Sequence, residues 1–194
     1  MPTGANVPER RFNRLERHTG TVVHQALEEL SRRLELPPAP GEEERLRWRA
    51  ELCRLGLHGE ALDVAMRAVH ISVENALAEN GPGRWILSPA HPEARSEWAL
   101  TRVDREGAKE EMVIDRTFVD AATGERWLID YKTSRPESGE NLEQFLGRES
   151  ATYRPQMQRY RDTLSASAPS PLRVALYFTA IGHLHRLQDL DLAE

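Results

Sequence analysis

Two apolar runs in series constrain this chain more than anything else in it. "EMVIDRTFV" occupies positions 111–119 and "RWLIDYKT" positions 126–133, with the turn-forming "DAATGE" between them. Runs of Val, Ile, Phe, Trp and Leu bounded by such a turn read as two strands of a hairpin. Within them lie Asp115, Asp130 and Lys132. Charges in an apolar strand are costly to bury unless something pairs them. If the hairpin closes through residues 121–124, with Asp120 facing Glu125, Asp115 comes directly opposite Asp130. Their Cβ atoms would then be roughly 4.5–5.5 Å apart. Lys132 shares a face with Asp130, because strand side chains alternate with period two. A slip of one residue would send one Asp to the other face.

Like charges directly opposite one another destabilise a hairpin. A cation relieves them, and two hard oxygen ligands on adjacent strands, with room for waters, suit Mg²⁺. Such a metal activates water and stabilises charge on a phosphate. A neighbouring Lys orients that water or neutralises the developing charge. The pattern is equally compatible with a plain Asp130–Lys132 ion pair on a half-solvated sheet, Asp115 pairing with Arg116 or another base.

Around the hairpin the chain reads as helices first and strands later. Residues 1–18 read as a lead-in, flexible or docked on a partner, followed by one domain over 19–194. A helix is expected to start near Thr19 to Thr21, with Val23, Leu27, Leu30 and Leu34 as its apolar stripe and "PPAP" at 37–40 as its stop. Further helices are expected at 42–56, opened by "GEEE", and at 60–79, stopped by "ENGPG". Residues 19–80 are thus mainly helical. Residues 84–190 hold the sheet core: "RWILS" at 84–88 as a short strand or turn, a strand at 95–102, the hairpin, a mostly helical stretch at 140–164 containing Pro155, an apolar strand at 171–179 and an edge strand within 183–190. The order predicts an α/β fold with a mixed sheet behind a helical N-terminal portion.

Composition narrows the function. One cysteine, Cys53, excludes a disulfide framework and any multi-cysteine metal or iron–sulfur site. No run is long and apolar enough to cross a membrane, and no secretory leader is visible, so a cytoplasmic location is expected. The net charge of −5 argues mildly against a stand-alone nucleic-acid binder. Against that, Arg10, Arg11, Arg14 and Arg17 cluster early, and Arg148, Arg154, Arg159 and Arg161 cluster along the later helix. Trp85, Trp98 and Trp127 are expected in the core. His183 and His185 alternate on the last strand without an assigned role.

"VIDRTFVDAATGERWLIDYKTS" resembles the paired-strand motif of the PD-(D/E)xK nucleases, and of their RecB-type branch in particular. Three flanking segments match that branch in order. "GTVVHQALEEL" at 20–30 resembles its upstream helix, "SEWALT" at 96–101 the Glu-bearing strand before the hairpin, and "YRPQMQRY" at 153–160 its Y-x-x-Q-x-x-x-Y helix. The nearest resemblance is to the C-terminal nuclease domain of AddA/RecB-like helicase–nucleases with UvrD-like motors. The chain holds no G-x-x-x-x-G-K-[ST] loop, so the motor would lie elsewhere in a longer chain or complex.

The resemblance implies a restriction-endonuclease-like core and hydrolysis of DNA phosphodiesters with Mg²⁺ or Mn²⁺, exonuclease rather than endonuclease, in end resection and recombinational repair. It assigns Asp115, Asp130 and Lys132 to catalysis. The implied metal ligands are His24, Asp115, Asp130 and the Tyr131 backbone carbonyl. Gln156, Tyr160, Tyr153 and Glu97 are implied to support the site or contact DNA. A catalytically silent nuclease-fold module, structural or DNA-binding within a repair complex, is the alternative. Read without the resemblance, His24 is a packed or surface residue bordering an apolar stripe, and Tyr153, Met157 and Tyr160 are core-facing positions of an amphipathic helix.

Overall fold

Each half of the chain hides a different apolar pattern, and together they cover both faces of one sheet. A computed structural model describes residues 7–103, 109–165 and 171–192. Four helices come first: α1 (Val7–Ser31), α2 (Glu42–Arg54), α3 (Gly59–Leu77) and the short α4 (Pro82–Ile86). The strands follow: β1 (Arg95–Val103), β2 (Lys109–Val119) and β3 (Arg126–Lys132), then α5 (Leu142–Ser165), β4 (Leu172–Phe178) and β5 (His183–Arg186). The sheet runs β1-β2-β3-β4-β5. β1, β2 and β3 form an antiparallel meander, β3 and β4 are parallel across the α5 crossover, and β5 returns antiparallel to β4. This is the expected α/β architecture, a mixed sheet flanked by helices.

The helical stripes explain the layering. On α1, Val22, Val23, Ala26, Leu27 and Leu30 are buried; on α3, Leu62, Ala65, Val69, Val73 and Ala76 are buried at helical spacing. They form one core with Trp48 and Leu52 of α2 and with Phe118, Ile129, Tyr131, Ala175 and Tyr177 of the sheet. The opposite face packs Ile114, Leu128, Val174, Leu176 and Phe178 against Phe145, Met157 and Leu164 of α5. Successive β3 residues therefore serve opposite cores, Leu128 one and Ile129 the other, as the pleat requires. Among the described residues, no helix is long and apolar enough to cross a membrane.

Local chemistry sets the ends that matter for the site. The β2–β3 turn closes as expected: Asp120 N–H donates to the Glu125 carbonyl at 2.8 Å, and Gly124, at φ 73°, donates back to the Asp120 carbonyl. The Asp120 carboxylate accepts from Ala122 N–H and the Thr123 hydroxyl. Helix α5 opens with a reciprocal cap in which Gln144 N–H donates to Asn141 Oδ1 and Asn141 N–H to Gln144 Oε1. Pro155 lies inside α5 at an exposed position and, lacking an N–H, leaves the Ala151 carbonyl without its helical donor.

Three expectations are corrected. Helix α1 begins at Val7 rather than near Thr19 to Thr21, so that residues 7–18 of the lead-in are helical while 1–6 lie outside the described residues, and it ends at Ser31, before "PPAP". Leu34 is therefore outside the helix and 95 % exposed rather than part of its stripe. "RWILS" is not a strand: Pro82 occupies the first turn of α4, where its fixed φ and missing N–H are tolerated. Gly83 lets α4 settle on α3, since a Cβ there would lie 2.4 Å from Ala76 Cα and 2.7 Å from the Tyr177 hydroxyl. The obstructing atom at Ala76 is backbone and cannot swing aside. Gly83→Ala is expected to lower stability by about 2–3 kcal/mol, read as a fall in the urea midpoint with an unchanged slope; an unchanged midpoint would show that α4 is free to shift.

Candidate active site

The hairpin register is the one the turn dictates, with Arg116 opposite Ile129 and Phe118 opposite Trp127. The ladder stops there, one rung short of Asp115 and Asp130. The two carboxylates do not face each other as a regular rung. Instead Asp115 Oδ2 accepts the Tyr131 N–H at 2.6 Å.

The cause is a break that crosses both β1 and β2. The β1–β2 ladder pairs Ser96 with Arg116 and Trp98 with Ile114, but the rung between them, Glu97 with Asp115, is missing. On either side of it the strands change face. Ile114 and Trp98 pack in the α5-side core, whereas Arg116 and Ser96 bond to the loop after α4 and to α1. Residues two apart on a strand ordinarily share a face, so the pleat inverts at this rung. Glu97 absorbs the inversion with φ at 46°, a left-handed conformation that a residue with a side chain adopts at a cost.

The inversion brings Glu97 and Asp115 to His24. His24 Nδ1 lies 3.4 Å from Asp115 Oδ1 and 3.7 Å from Glu97 Oε1, and Nε2 lies 3.2 Å from the Tyr131 carbonyl oxygen. One ligand atom from each of His24, Glu97 and Asp115 falls within 4.8 Å of the other two. The Tyr131 backbone is thereby held through its N–H by Asp115 and at its carbonyl by His24, while its side chain lies in the core, edge-on to the His24 ring at 5.8 Å.

The remaining residues form the other half of the site. Lys132 Nζ is 2.5 Å from Asp130 Oδ2 and stands 3.7 Å from the centre of the Tyr153 ring. Gln156 Nε2 donates to Asp130 Oδ1 at 3.4 Å and to the Tyr160 hydroxyl at 2.9 Å. These α5 residues reach β3 because 153, 156 and 160 share one helix face. All nine residues read from the sequence thus gather at one place. Asp130 is engaged by Lys132 and Gln156 rather than by His24, and Glu97 stands beside His24 and Asp115.

Electrostatics at the site follow from crowding three carboxylates. Burial works against a charged His24, yet the Asp115 and Glu97 carboxylates, aided by Asp130, push its pKa up to about 10. Burial and then the Asp115 charge raise the Asp130 carboxyl, with Lys132 and His24 opposing. Burial acts against the Lys132 ammonium, and the Asp130 charge more than offsets it, so Lys132 is raised. The donor set of one imidazole and two carboxylates fits a divalent cation that accepts oxygen and nitrogen.

Arg116 does not pair with Asp115, as one reading of the sequence had it, but bonds to the Ile86 and Ser88 carbonyls and the Ser96 hydroxyl. Sequence reading left out Ser96 and Ser31, which bond next to these residues, and Glu149, buried and bonded to Ser134 and Arg148. Only a charged residue written into an apolar strand, "IDR", hinted at Arg116. The arginines of α5 carry carboxylate partners: Arg148 with Glu140 and Glu149, Arg154 with Asp189, Arg159 with Glu110 and Arg161 with Asp162. Trp85 and Trp127 meet edge-on at 5.0 Å beside the α1–α3 core, and Trp98 lies partly buried against the α5-side core. His183 and His185 stack on each other at 6.5 Å.

The fold is a five-stranded mixed sheet whose second and third strands part around carboxylates and a lysine. The family model of the PD-(D/E)XK nuclease superfamily matches residues 3–190, and the chain belongs to that superfamily. No curated protein matches the chain significantly. The restriction-endonuclease-like fold accords with this membership; nucleases of this superfamily typically use divalent metals, and the His24, Glu97 and Asp115 cluster could hold one.

Two outcomes follow from the geometry. At Glu97, only glycine adopts the observed φ without strain, so Glu97→Gly is expected to be more stable than Glu97→Ala by about 1 kcal/mol. Urea denaturation checks this reversal of the usual strand order, and equal midpoints would mean that β1 is not held in that conformation. At His24, binding a metal requires loss of a proton held with a pKa of about 10. Mn²⁺ affinity is therefore expected to rise with pH, by up to about tenfold per unit between pH 6 and 8. Titration calorimetry in buffers of different ionisation heat reads the released proton, and His24→Ala should flatten the slope. In the metal-free chain the sign is opposite. The raised pKa favours the fold fully below the unfolded value of 6.5, and that contribution is lost as pH rises through about 10.

Proposed function

We propose that this chain is a Mg²⁺- or Mn²⁺-dependent deoxyribonuclease domain of RecB type, hydrolysing phosphodiesters from DNA ends. In this reading it works beside a UvrD-like helicase motor in the same full-length chain or complex. Its setting is DNA end resection and recombinational repair in the cytoplasm. The observation that carries the catalytic reading is the meeting of His24, Glu97 and Asp115 with the Asp130–Lys132 pair across the gap between β2 and β3. The order of the helix, strand, hairpin and Y-x-x-Q-x-x-x-Y motifs along the chain supports the RecB-type assignment.

His24, Glu97 and Asp115 would hold the cation, with Asp130 and the Tyr131 carbonyl next to them. When bound, the cation supplies Lewis acidity and a water of lowered pKa. The chain's own groups do the rest. Lys132 presents a fixed positive charge to the scissile phosphate, and its stabilising effect grows with the exclusion of water around it. Asp130 orients that ammonium, Gln156 fixes the Asp130 carboxylate, and Tyr160 fixes Gln156. The Tyr153 ring backs the ammonium from the other side.

The test is a panel of divalent cations on end-labelled linear and covalently closed circular DNA, single- and double-stranded. Cleavage is expected with Mg²⁺ or Mn²⁺, on linear molecules only. Asp130→Ala and Lys132→Ala are each expected to lose at least about 10²-fold in rate while retaining the circular dichroism of the native chain. Full activity in both variants would overturn the catalytic assignment. Cleavage of closed circles would replace end-directed by internal action. DNA binding without cleavage under any divalent cation would make the chain a silent nuclease-fold module.

A further inference from the structure

Among the described residues, one deeply buried charge lies outside the set just assigned to the site. Arg116 is 2 % exposed, and burial lowers its pKa. Its guanidinium bonds to neutral groups: the Ile86 carbonyl at 3.0 Å, the Ser96 hydroxyl at 3.1 Å and the Ser88 carbonyl at 3.3 Å. An apolar side chain would fill such a place at less cost.

What the guanidinium holds is informative. The Ser96 hydroxyl lies 2.8 Å from that of Ser31, and the Ser31 hydroxyl donates to the Glu28 carbonyl at 2.7 Å. Since Ser31 has committed its proton to Glu28, Ser96 is the donor between them. The chain of bonds therefore runs in one direction, from Arg116 on β2 to Ser96 on β1, to Ser31 and Glu28 on α1. Bonds aligned in this way polarise one another. Three of its four stops lie close in sequence to a residue of the candidate metal centre. Arg116 follows Asp115, Ser96 precedes Glu97, and Glu28 lies one helical turn beyond His24. Arg116 and Ser96 also form the last regular rung before the one that breaks. The other two arms of the guanidinium tie this rung to the end of α4 and the residues after it.

We propose that Arg116, acting through Ser96 and Ser31, is a positioning residue that fixes α1, β1 and β2 relative to one another and so sets the metal affinity of His24, Glu97 and Asp115. The proposal rests on the metal-dependent reading above. It separates placement of the ligands from their identity: the clamp touches neither cation nor DNA.

The test compares wild type, Ser96→Ala, Ser96→Thr and Arg116→Lys for Mn²⁺ binding, by electron paramagnetic resonance of free Mn²⁺, alongside nuclease rate against Mn²⁺ concentration. Ser96→Ala removes one hydroxyl from a half-buried position and leaves the core intact. It is expected to weaken Mn²⁺ binding about tenfold, with the rate at saturating Mn²⁺ close to wild type. Ser96→Thr restores the hydroxyl and the affinity. Arg116→Lys keeps the charge but loses the planar fork, and is expected to match Ser96→Ala. A wild-type Mn²⁺ affinity in Ser96→Ala, with the wild type itself binding, overturns the positioning role and leaves the metal reading standing. A wild type that binds no Mn²⁺ overturns both.

Discussion

Three carboxylates brought together at one place on the sheet is the condition on which the rest of this structure turns. Glu97, Asp115 and Asp130 come from three different strands, and two of them are buried. Unrelieved, they would drive the strands apart. Two groups answer them from opposite faces of the sheet: His24 from α1 beneath Asp115 and Glu97, and Lys132 from β3 beside Asp130. The upward shift at His24, driven by the Asp115 and Glu97 carboxylates against burial, reflects the demand of this place for positive charge. An imidazolium meets that demand in the free chain, and a divalent cation would meet it better by displacing the proton. The same repulsion that would unfold a plain sheet would thus be turned into affinity for a metal.

The sheet accommodates these groups by giving up regularity at one rung. β2 belongs to one core through Ile114 and to the other through Phe118, which a continuous pleat does not allow with the even spacing between them. The inversion at Glu97 and Asp115 reconciles the two and turns both carboxylates out of the plane where a ladder would hide them. It also opens the gap toward β3 into which Tyr131 offers its backbone. Strain at φ 46° on Glu97 is part of that arrangement, maintained by regular rungs on either side.

Much of this was legible in the sequence, and what was not has physical causes. The hairpin register followed from local turn chemistry, since Asp120 and Gly124 close the loop in the one way that places Arg116 opposite Ile129. The placement of Gln156 and Tyr160 followed from helical spacing. The early start of α1 was hidden by the absence of an apolar stripe before Leu15, and α4 by an apolar "RWIL" that reads the same in a short helix as in a strand. Glu97 in a left-handed conformation carries no local signal, because neither glycine nor asparagine marks it. Its φ is imposed by two cores that meet only in the folded chain. The Arg116–Ser96–Ser31 contacts are invisible for the same reason, joining residues far apart in sequence.

Arg116 shows why a fold of this kind retains expensive groups. A leucine at this position would bury more apolar surface and remove a desolvated charge. It could not bond at once to two carbonyls at and just after the end of α4 and to a hydroxyl on β1. Apolar contacts resist separation but tolerate sliding, whereas a planar fork of donors specifies distance and direction. A ligand set drawn from a helix and two strands is sensitive to sliding of a few tenths of an ångström, since coordination distances vary little. The burial of a guanidinium at the rung beside the break is therefore where this fold gives up stability for placement.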